Sequence, residues 1–408
     1  MSMQRADDRG VDLPVLVIIA GCTIALMTFG PRSAMGLFQK PMLADLGWDR
    51  ATFGLAMAIQ NLMWGAGQPF FGAIADRYGA WRVLLLSGVL YASGLFIMSA
   101  ASAPVWLHVG GGVLVGLGIA AGSFSIIMAA FARRVPPERR VIVFGIGTAA
   151  GSAGMLVFPP ISEGLISAYG WSDALVVLSV VMLAIPVIAI PLAGGPKGSA
   201  GAGADYEQTV AQALREALAT KSYLLLTAGF FVCGFQVAFI TVHFPAYITD
   251  KGLEPWVGGW ALALIGGLNI VGSLASGVIG QRYSKPVFLA LLYVGRSVLV
   301  TWYLLTPISA TTTLIFAALM GLLWLSTVAP TNALVATFFG TRYLGMLGGI
   351  VFFSHQIGSF LGVWLGGVLY DLNGSYDPVW WLGVALGLFA AVVHWPIEER
   401  GVERPLPA

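Results

Sequence analysis

The chain has 408 residues, 58% of them hydrophobic and only 10% charged, with a mean hydropathy of +0.85 and a formal net charge of +2. A water-soluble domain carries about 25% charged residues, so the composition excludes a sizeable soluble domain and predicts an integral membrane protein. Cys22 and Cys233 both lie inside apolar runs, which leaves no disulfide framework or metal site to expect.

Met1 to Asp12 is polar, and the apolar run that follows is long enough to cross a membrane rather than to form a short leader core. Runs of about 20 apolar residues or more predict spans 1 to 6 near 13–38, 52–75, 83–102, 105–131, 141–168 and 174–193. Between spans 2 and 3 lies a short charged turn, Gly72-Ala-Ile-Ala-Asp-Arg-Tyr-Gly-Ala-Trp-Arg82. The glycine run Gly110-Gly-Gly112 sits inside span 4 and follows no strand, so a phosphate-binding loop is not expected. After span 6 the stretch 194–204 is flexible by composition. The segment 205–220 has helical spacing, with Val210, Ala213, Leu214 and Leu218 on one stripe, as in a helix lying on a membrane surface. Spans 7 to 12 follow near 223–248, 256–280, 286–306, 308–338, 343–370 and 379–396.

Lys and Arg set the orientation. With the N-terminus in the cytoplasm, the inner loops hold Arg77, Arg82, Arg133, Arg134, Arg139, Arg140, Lys197, Arg215, Lys221, Arg282, Lys285 and Arg342. The outer loops hold Lys40, Arg50 and Lys251. Both termini are therefore expected in the cytoplasm, in a multi-pass protein of the cell (inner) membrane.

The chain repeats itself at half-length. At an offset of 205, Gly67 falls on Gly272, Gly72 on Gly277, Arg77 on Arg282 and Tyr78 on Tyr283; at 207, Gly151-Ser152 falls on Gly358-Ser359. Such repeats predict two related bundles with a binding site between them. The expected organisation is an all-α membrane protein of twelve transmembrane helices: a six-helix bundle over 1–193, a cytoplasmic linker with a short amphipathic helix over 194–222, and a second six-helix bundle over 223–408.

Twelve spans, a central linker and the motif Gly72, Asp76, Arg77, Gly79 and Arg82 between spans 2 and 3 resemble the major facilitator superfamily over nearly the whole chain. Ala80 stands where that motif usually has a basic residue. Within the superfamily the chain is similar to the bacterial monocarboxylate and oxalate–formate transporter branch. The resemblance implies alternating access, with the motif clamping the cytoplasmic side when the outer side is open. Asp76 would pair with a neighbour such as Arg139 or Arg140, with Arg77 and Arg82 beside it. The basic residues also read simply as a topology signal. The second copy carries Gln281 in place of the acid, so the clamp is expected to be asymmetric. The charge pair that animal-type monocarboxylate carriers have in span 8 is replaced by Asn269 and Ser273.

A charge at mid-membrane costs roughly 2.5–3.5 kcal/mol on insertion scales, so each one needs a reason. Arg32 lies about 28 Å into span 1 at ~1.5 Å per residue, beside Gly30 and Pro31. It reads as an anion-binding guanidinium or as an arginine snorkelling to the headgroups, a role for which Lys40 is better placed. Arg296 in span 9 is a secondary anion-site candidate, or a structural arginine held by backbone carbonyls. His355 in span 11, near the position of a cationic residue in the oxalate–formate members, and His243 in span 7 can bind a carboxylate, carry a coupling proton or bond neutrally in the bundle. Glu163 in span 5 is a proton-carrier candidate, a partner for Arg32 or an exposed acid at the outer end. Gln60, Asn61, Gln236, Trp324 and Asn332 complete the candidate cavity, with interhelical hydrogen bonding as their other reading.

The expected function is secondary active transport of a small organic anion, a monocarboxylate, coupled to protons, by a monomer needing no cofactor and contacting no nucleic acid. An efflux carrier for an amphipathic compound and a non-transporting membrane sensor are the alternatives. The first wants an intramembrane acid, of which Glu163 is the sole candidate; the second predicts no flux.

Overall fold

The computed structural model describes residues 14–132, 134–135, 137–193, 209–340 and 343–402, and every regular element among them is a helix. Ten helical stretches are long and apolar enough to cross a membrane. Arg50–Tyr78, span 2, is an eleventh long helix, and the stretch Val143–Leu192 holds two spans rather than one. The division falls at Gly170, whose φ of 84° and ψ of 167° lie where only glycine is comfortable. Twelve crossings result, as the apolar runs predict.

Three elements differ from the sequence expectation. Span 1 runs as one helix, Val15–Leu46, past Gln39 and Lys40, whose polarity suggested an end near residue 38. Gln39 is fully buried, so its amide is there to be hydrogen-bonded inside the protein rather than to mark an interface. Span 10 is broken into Ala310–Leu323 and Val328–Phe339. Apolar patterning cannot show that break, because the loosened residues Trp324 and Thr327 are themselves buried and their partners lie on other spans. The linker helix is Val210–Ala219, closed at its start by a reciprocal cap between Thr209 and Gln212. Its buried edge is Ala213 and Ala217, while Val210 and Leu218 stay exposed, as suits a helix lying on an apolar surface. The rest of the linker, 194–208, lies outside the described residues.

Two apolar cores organise the packing. One is drawn from residues 17–192 with Ala238, Val242 and Val363; the other runs from Ala217 to Ile397 with Ala34 and Leu37. The exchanged residues belong to spans 1, 7 and 11, so the halves meet along these helices. Span 1 lies against spans 5 and 7, span 2 against span 11, and span 5 against span 8. Large apolar side chains such as Phe70, Val180, Leu274, Val298 and Val392 are more than half exposed, consistent with a lipid-facing exterior.

The two faces of the molecule differ in closure. On the face of the turns 47–49 and 374–376, the halves touch backbone to backbone. A Cβ on Gly36 of span 1 would lie 2.5 Å from the Thr241 carbonyl oxygen of span 7, and one on Gly367 of span 11 would lie 2.5 Å from that of Arg50 in span 2. On the opposite face, which carries Arg77, a Cβ added at Gly72, Gly145, Gly277, Gly345 or Gly349 would meet nothing within 4 Å. The halves are therefore in backbone contact at one face, the Asp250 face, while these glycines of the other, the Arg77 face, are uncovered.

Candidate functional site

At the centre, Arg32 projects from span 1 towards span 2. Its Nη2 donates to Asn61 Oδ1 at 2.7 Å, and its guanidinium carbon lies 4.6 Å from the centroid of the Trp64 ring. Asn61 is anchored in turn by donating from Nδ2 to the Met57 carbonyl at 2.9 Å. Asn61 and Trp64 are three residues apart on one helix, so both face the guanidinium. Among the described residues no carboxylate pairs with Arg32. Its Nε is buried and unpaired, as are Trp64 Nε1 and Gln356 Nε2. All three are donors. Gln356 comes from span 11 and packs its stem against Gly65, next to Trp64. Both halves thus place an unpaired donor near Trp64, a donor-rich setting that suits an anion.

His355 is close by. Its ring stacks on Phe352 at 5.8 Å with the planes 9° apart, and Phe352 meets Trp64 edge-on at 5.3 Å. His355 Nδ1 lies 3.3 Å from Gln356 Oε1. The structure therefore brings Arg32, Asn61 and His355 to the same central region, and adds Trp64 and Gln356, which sequence reasoning passed over. Gln356 directly follows His355, and that polar pair inside an apolar run was the available signal.

Arg296 of span 9 reaches into the broken part of span 10. Its Nε donates to the Leu323 carbonyl at 3.1 Å and its Nη2 to the same oxygen at 2.6 Å and to the carbonyl of Trp324. Nη1 faces Cys233 Sγ at 3.4 Å and Gln236 Oε1 at 3.5 Å. These carbonyls are the ones a helix break leaves without intrahelical partners, so the guanidinium replaces the missing turn. Asn269 supports the break from span 8: its Oδ1 accepts from Leu325 N–H at 3.0 Å, while its Nδ2 reaches Ser152 Oγ of span 5 at 3.1 Å. Gln236 also donates to the Gly383 carbonyl at 2.8 Å, and Trp324 is only 1% exposed.

The remaining candidates serve helix packing in this conformation. Gln60 donates to Gly111 at 2.7 Å, tying span 2 to the π-helical turn His108–Leu114 of span 4. Asn332 is exposed and bonds its own helix at Val328, 3.1 Å away. Glu163 accepts from Ser167 at 3.0 Å and lines a cleft of about 420 Å³ with Glu254, Trp256 and Trp260. It makes no ion pair with Arg32, so the suggested partnership between them is not formed.

The Asp250 face carries a network that the sequence reading did not assemble. Asp250 Oδ1 accepts from Lys40 Nζ at 3.0 Å, and Asp250 Oδ2 from Arg50 Nη1 at 2.6 Å, so one acid of span 7 holds cations of spans 1 and 2. Lys40 is thus an ion-pair partner rather than a free snorkelling cation. The Arg50 guanidinium lies 3.6 Å from the centroid of Tyr370, and Nη1 also donates to Tyr376 Oη at 2.8 Å. Behind this layer His243 is fully buried. Its Nε2 is 2.8 Å from the Val363 carbonyl and must carry the proton, so Nδ1 accepts from Gln39 Nε2 at 3.2 Å; Tyr376 Oη lies 3.1 Å from Nδ1 and donates to Gln39 Oε1 at 3.3 Å. His243 is therefore engaged at the Asp250 face, apart from Arg32. Acids at helix ends carry little topological signal, which is why Asp250 and Asp371 went unnoticed.

On the Arg77 face, Arg82 donates to the Tyr78 carbonyl at 2.8 Å, and Arg77 lies over the Tyr78 ring at 5.2 Å. Both contacts are local. The side chains of Asp76, Arg139 and Arg140 lie outside the described residues.

The sequence profile of the Major Facilitator Superfamily matches residues 18–363. Monocarboxylate transporter 13 of Rattus norvegicus is 24% identical over 386 residues, covering 88% of this chain and 83% of that protein. The MFS-type transporter YcxA of Bacillus subtilis (strain 168) is 26% identical over 357 residues, covering 85% of each. Among solved structures, a bacterial homologue of the human lysosomal transporter Spinster, inward-facing and occupied, superposes with a TM-score of 0.76 at 14% identity, covering 93% of this chain and 95% of that one.

Proposed function

The chain belongs to the major facilitator superfamily, whose members are membrane transporters, and we propose from that premise that it carries a small organic anion, a monocarboxylate, by alternating access. The observation that carries this reading is the state of Arg32. Its guanidinium is held at the centre by neutral Asn61 and the face of Trp64, faces no carboxylate among the described residues, and shares its surroundings with two further unpaired donors. A partly buried cation within a membrane span is costly unless an anion completes it. The printed name of the rat relative supports the substrate class.

The two bundles, 1–193 and 223–408, move as the alternating units on either side of the linker 194–222. The Arg77 face is cytoplasmic by its basic residues, which makes the present conformation inward-open. Asp250, Lys40, Arg50 and Asp371 then form the outer gate. The motif of Asp76, Arg77 and Arg82, with Arg139 and Arg140, is the inner gate that closes when the outer one parts. His355 is the coupling residue nearest the anion site; His243 couples through the outer gate. Glu163 stands in a separate cleft and serves only as a secondary proton carrier. Arg296, Gln236 and Trp324 shape the cavity wall through the span 10 break rather than gripping the anion. The protein works as a monomer in the inner membrane.

The test is uptake of labelled monocarboxylates into proteoliposomes, with and without an inward proton gradient, for wild type and Arg32→Ala. Uptake by wild type that is abolished in the variant supports the assignment; equal uptake by both removes Arg32 from the site.

A further inference from the structure

Around Arg32 the unpaired donors are few, but the wall beside them is long and aromatic. Phe29 of span 1 meets Trp64 of span 2 at 5.9 Å, Trp64 meets Phe352 of span 11 at 5.3 Å, and Phe352 stacks on His355 at 5.8 Å. His355 in turn lies 5.0 Å from Phe230 of span 7. The row crosses from one half to the other. Phe29, Trp64 and Phe352 are only partly buried, so each keeps some ring surface free. Contiguous half-buried aromatic surface at the centre of a membrane protein is either lipid-facing or ligand-facing. These three rings join the two halves and lie beside a guanidinium, which places them on the inside.

We propose that the central site is built for a monoanion with a flat aromatic body, that is, an arylcarboxylate or an aryl-substituted 2-oxo acid. The proposal rests on the reading that Arg32 binds a carboxylate, and it adds what the rest of the molecule must be. The charge count comes first. Arg296 is occupied by the carbonyls of Leu323 and Trp324, and Arg50 and Lys40 by Asp250. Arg32, which donates to neutral Asn61, is then the one guanidinium at the centre without an anionic partner among the described residues, enough for one carboxylate and not two while His355 is neutral. Shape comes second. A two- or three-carbon acid held by Arg32 would leave the rings of Phe29, Trp64 and Phe352 wet. A ring beyond the carboxylate covers them, with edge-to-face partners already arranged at 69° and 72° to one another. The third element is Gln356. Its stem lies so close to Gly65 that a Cβ there would fall 2.8 Å from Gln356 Cγ, which seats its free Nε2 on the opposite half from Arg32. The carboxylate bridges the halves between Arg32 and Gln356 while the ring lies along the aromatic row.

Pyruvate and phenylpyruvate share a head group and differ by one ring, so they isolate the prediction. Wild-type protein in proteoliposomes is expected to take up labelled phenylpyruvate about tenfold more efficiently than pyruvate, the worth of one good aromatic contact, and to exclude phthalate. Phe352→Leu and Trp64→Leu are expected to lower the phenylpyruvate-to-pyruvate ratio towards one. Wild type carrying pyruvate as well as or better than phenylpyruvate overturns the inference and leaves the carboxylate reading standing. A ratio unmoved in both variants also overturns it. Uptake of neither acid by wild type defeats the carboxylate reading, and this inference with it. The wild-type comparison decides the matter even if a variant fails to fold.

Discussion

Asp371, near the end of span 11, accepts a hydrogen bond from the backbone N–H of Ala51 at 2.7 Å, and so caps the first turn of span 2 in the other half. Its second oxygen takes the N–H of Arg50 at 3.2 Å. Span 2 also has its own cap, Asp49, which accepts from Thr52 N–H at 2.7 Å. Under the proposed alternating access, the cap from Asp371 is the one that would be lost as the halves part at this face. A helix start thus reads the state of the gate.

An N-cap is worth about 1 kcal/mol, and that amount shifts a two-state equilibrium about fivefold. Asp371→Ala is expected to favour opening of the Asp250 face by that factor. Hydrogen–deuterium exchange of the amides at 50–53 is the readout. Protection at Ala51 should fall in the variant, whereas unchanged protection would mean that the cap is not part of the gate.

His243 holds its neighbours through one fixed tautomer, with Nε2–H on Val363, Nδ1 as the acceptor for the Gln39 amide, and Tyr376 bonded in turn to Gln39. Adding a proton at Nδ1 removes the acceptor of the Gln39 amide and sets a positive charge beside the hydroxyl that already holds the Arg50 cation. Of the charges on the packed elements, Lys40 and Arg50 oppose the added charge while Asp250 and Asp371 favour it. Acidification should therefore loosen the Asp250 face. Spin-label distances across that face, between the turns at Gly47 and Gly374, should lengthen as pH falls in wild type. The same labels in His243→Gln should show a flat response; a pH response of wild-type size there assigns the switch to another group.

Arg32 uses three properties at once: charge, a forked donor set and a flat face on Trp64. Lysine keeps the first alone. A charge-assisted hydrogen bond contributes roughly 1.5–3 kcal/mol, so Arg32→Lys is expected to weaken apparent substrate affinity by roughly tenfold to a hundredfold. The KM of uptake measures it. Full rescue by lysine would reduce the site to a simple positive charge.

Arg296 should behave differently. Its removal leaves the carbonyls of Leu323 and Trp324 without partners in a buried break, at a cost of roughly 2–4 kcal/mol to stability. Arg296→Ala is expected to lower the unfolding temperature of the purified protein well below that of Arg32→Ala. A larger change in KM than in stability would instead return Arg296 to the anion site.

Some of this was legible in the residues. The number of crossings follows from apolar run lengths, and a lone arginine beside Gly30 and Pro31 announces itself because charge inside a membrane is expensive. Residues whose partners lie far along the chain were harder. Gln39 looked like the end of a span, yet its amide is buried against His243, 204 residues away. Asp250 looked like an ordinary loop acid, yet it meets Arg50, 200 residues away. Arg296 carried two readings of equal chemistry, and only the break at Leu323 and Trp324 shows which carbonyls it satisfies.

The sequence by itself determined the membrane class, the twelve crossings, the half-length repeat and a guanidinium within span 1, which it set towards the outer end. Each of these rests on local rules of hydropathy, helix length and charge cost that act along the chain. Tertiary structure alone decided at which face the halves are in backbone contact, which acid holds Lys40 and Arg50, that span 10 is broken, and that Trp64 and Gln356 join Arg32. Those features depend on helices from opposite halves meeting side by side, and no periodicity along one helix encodes the partner it will face.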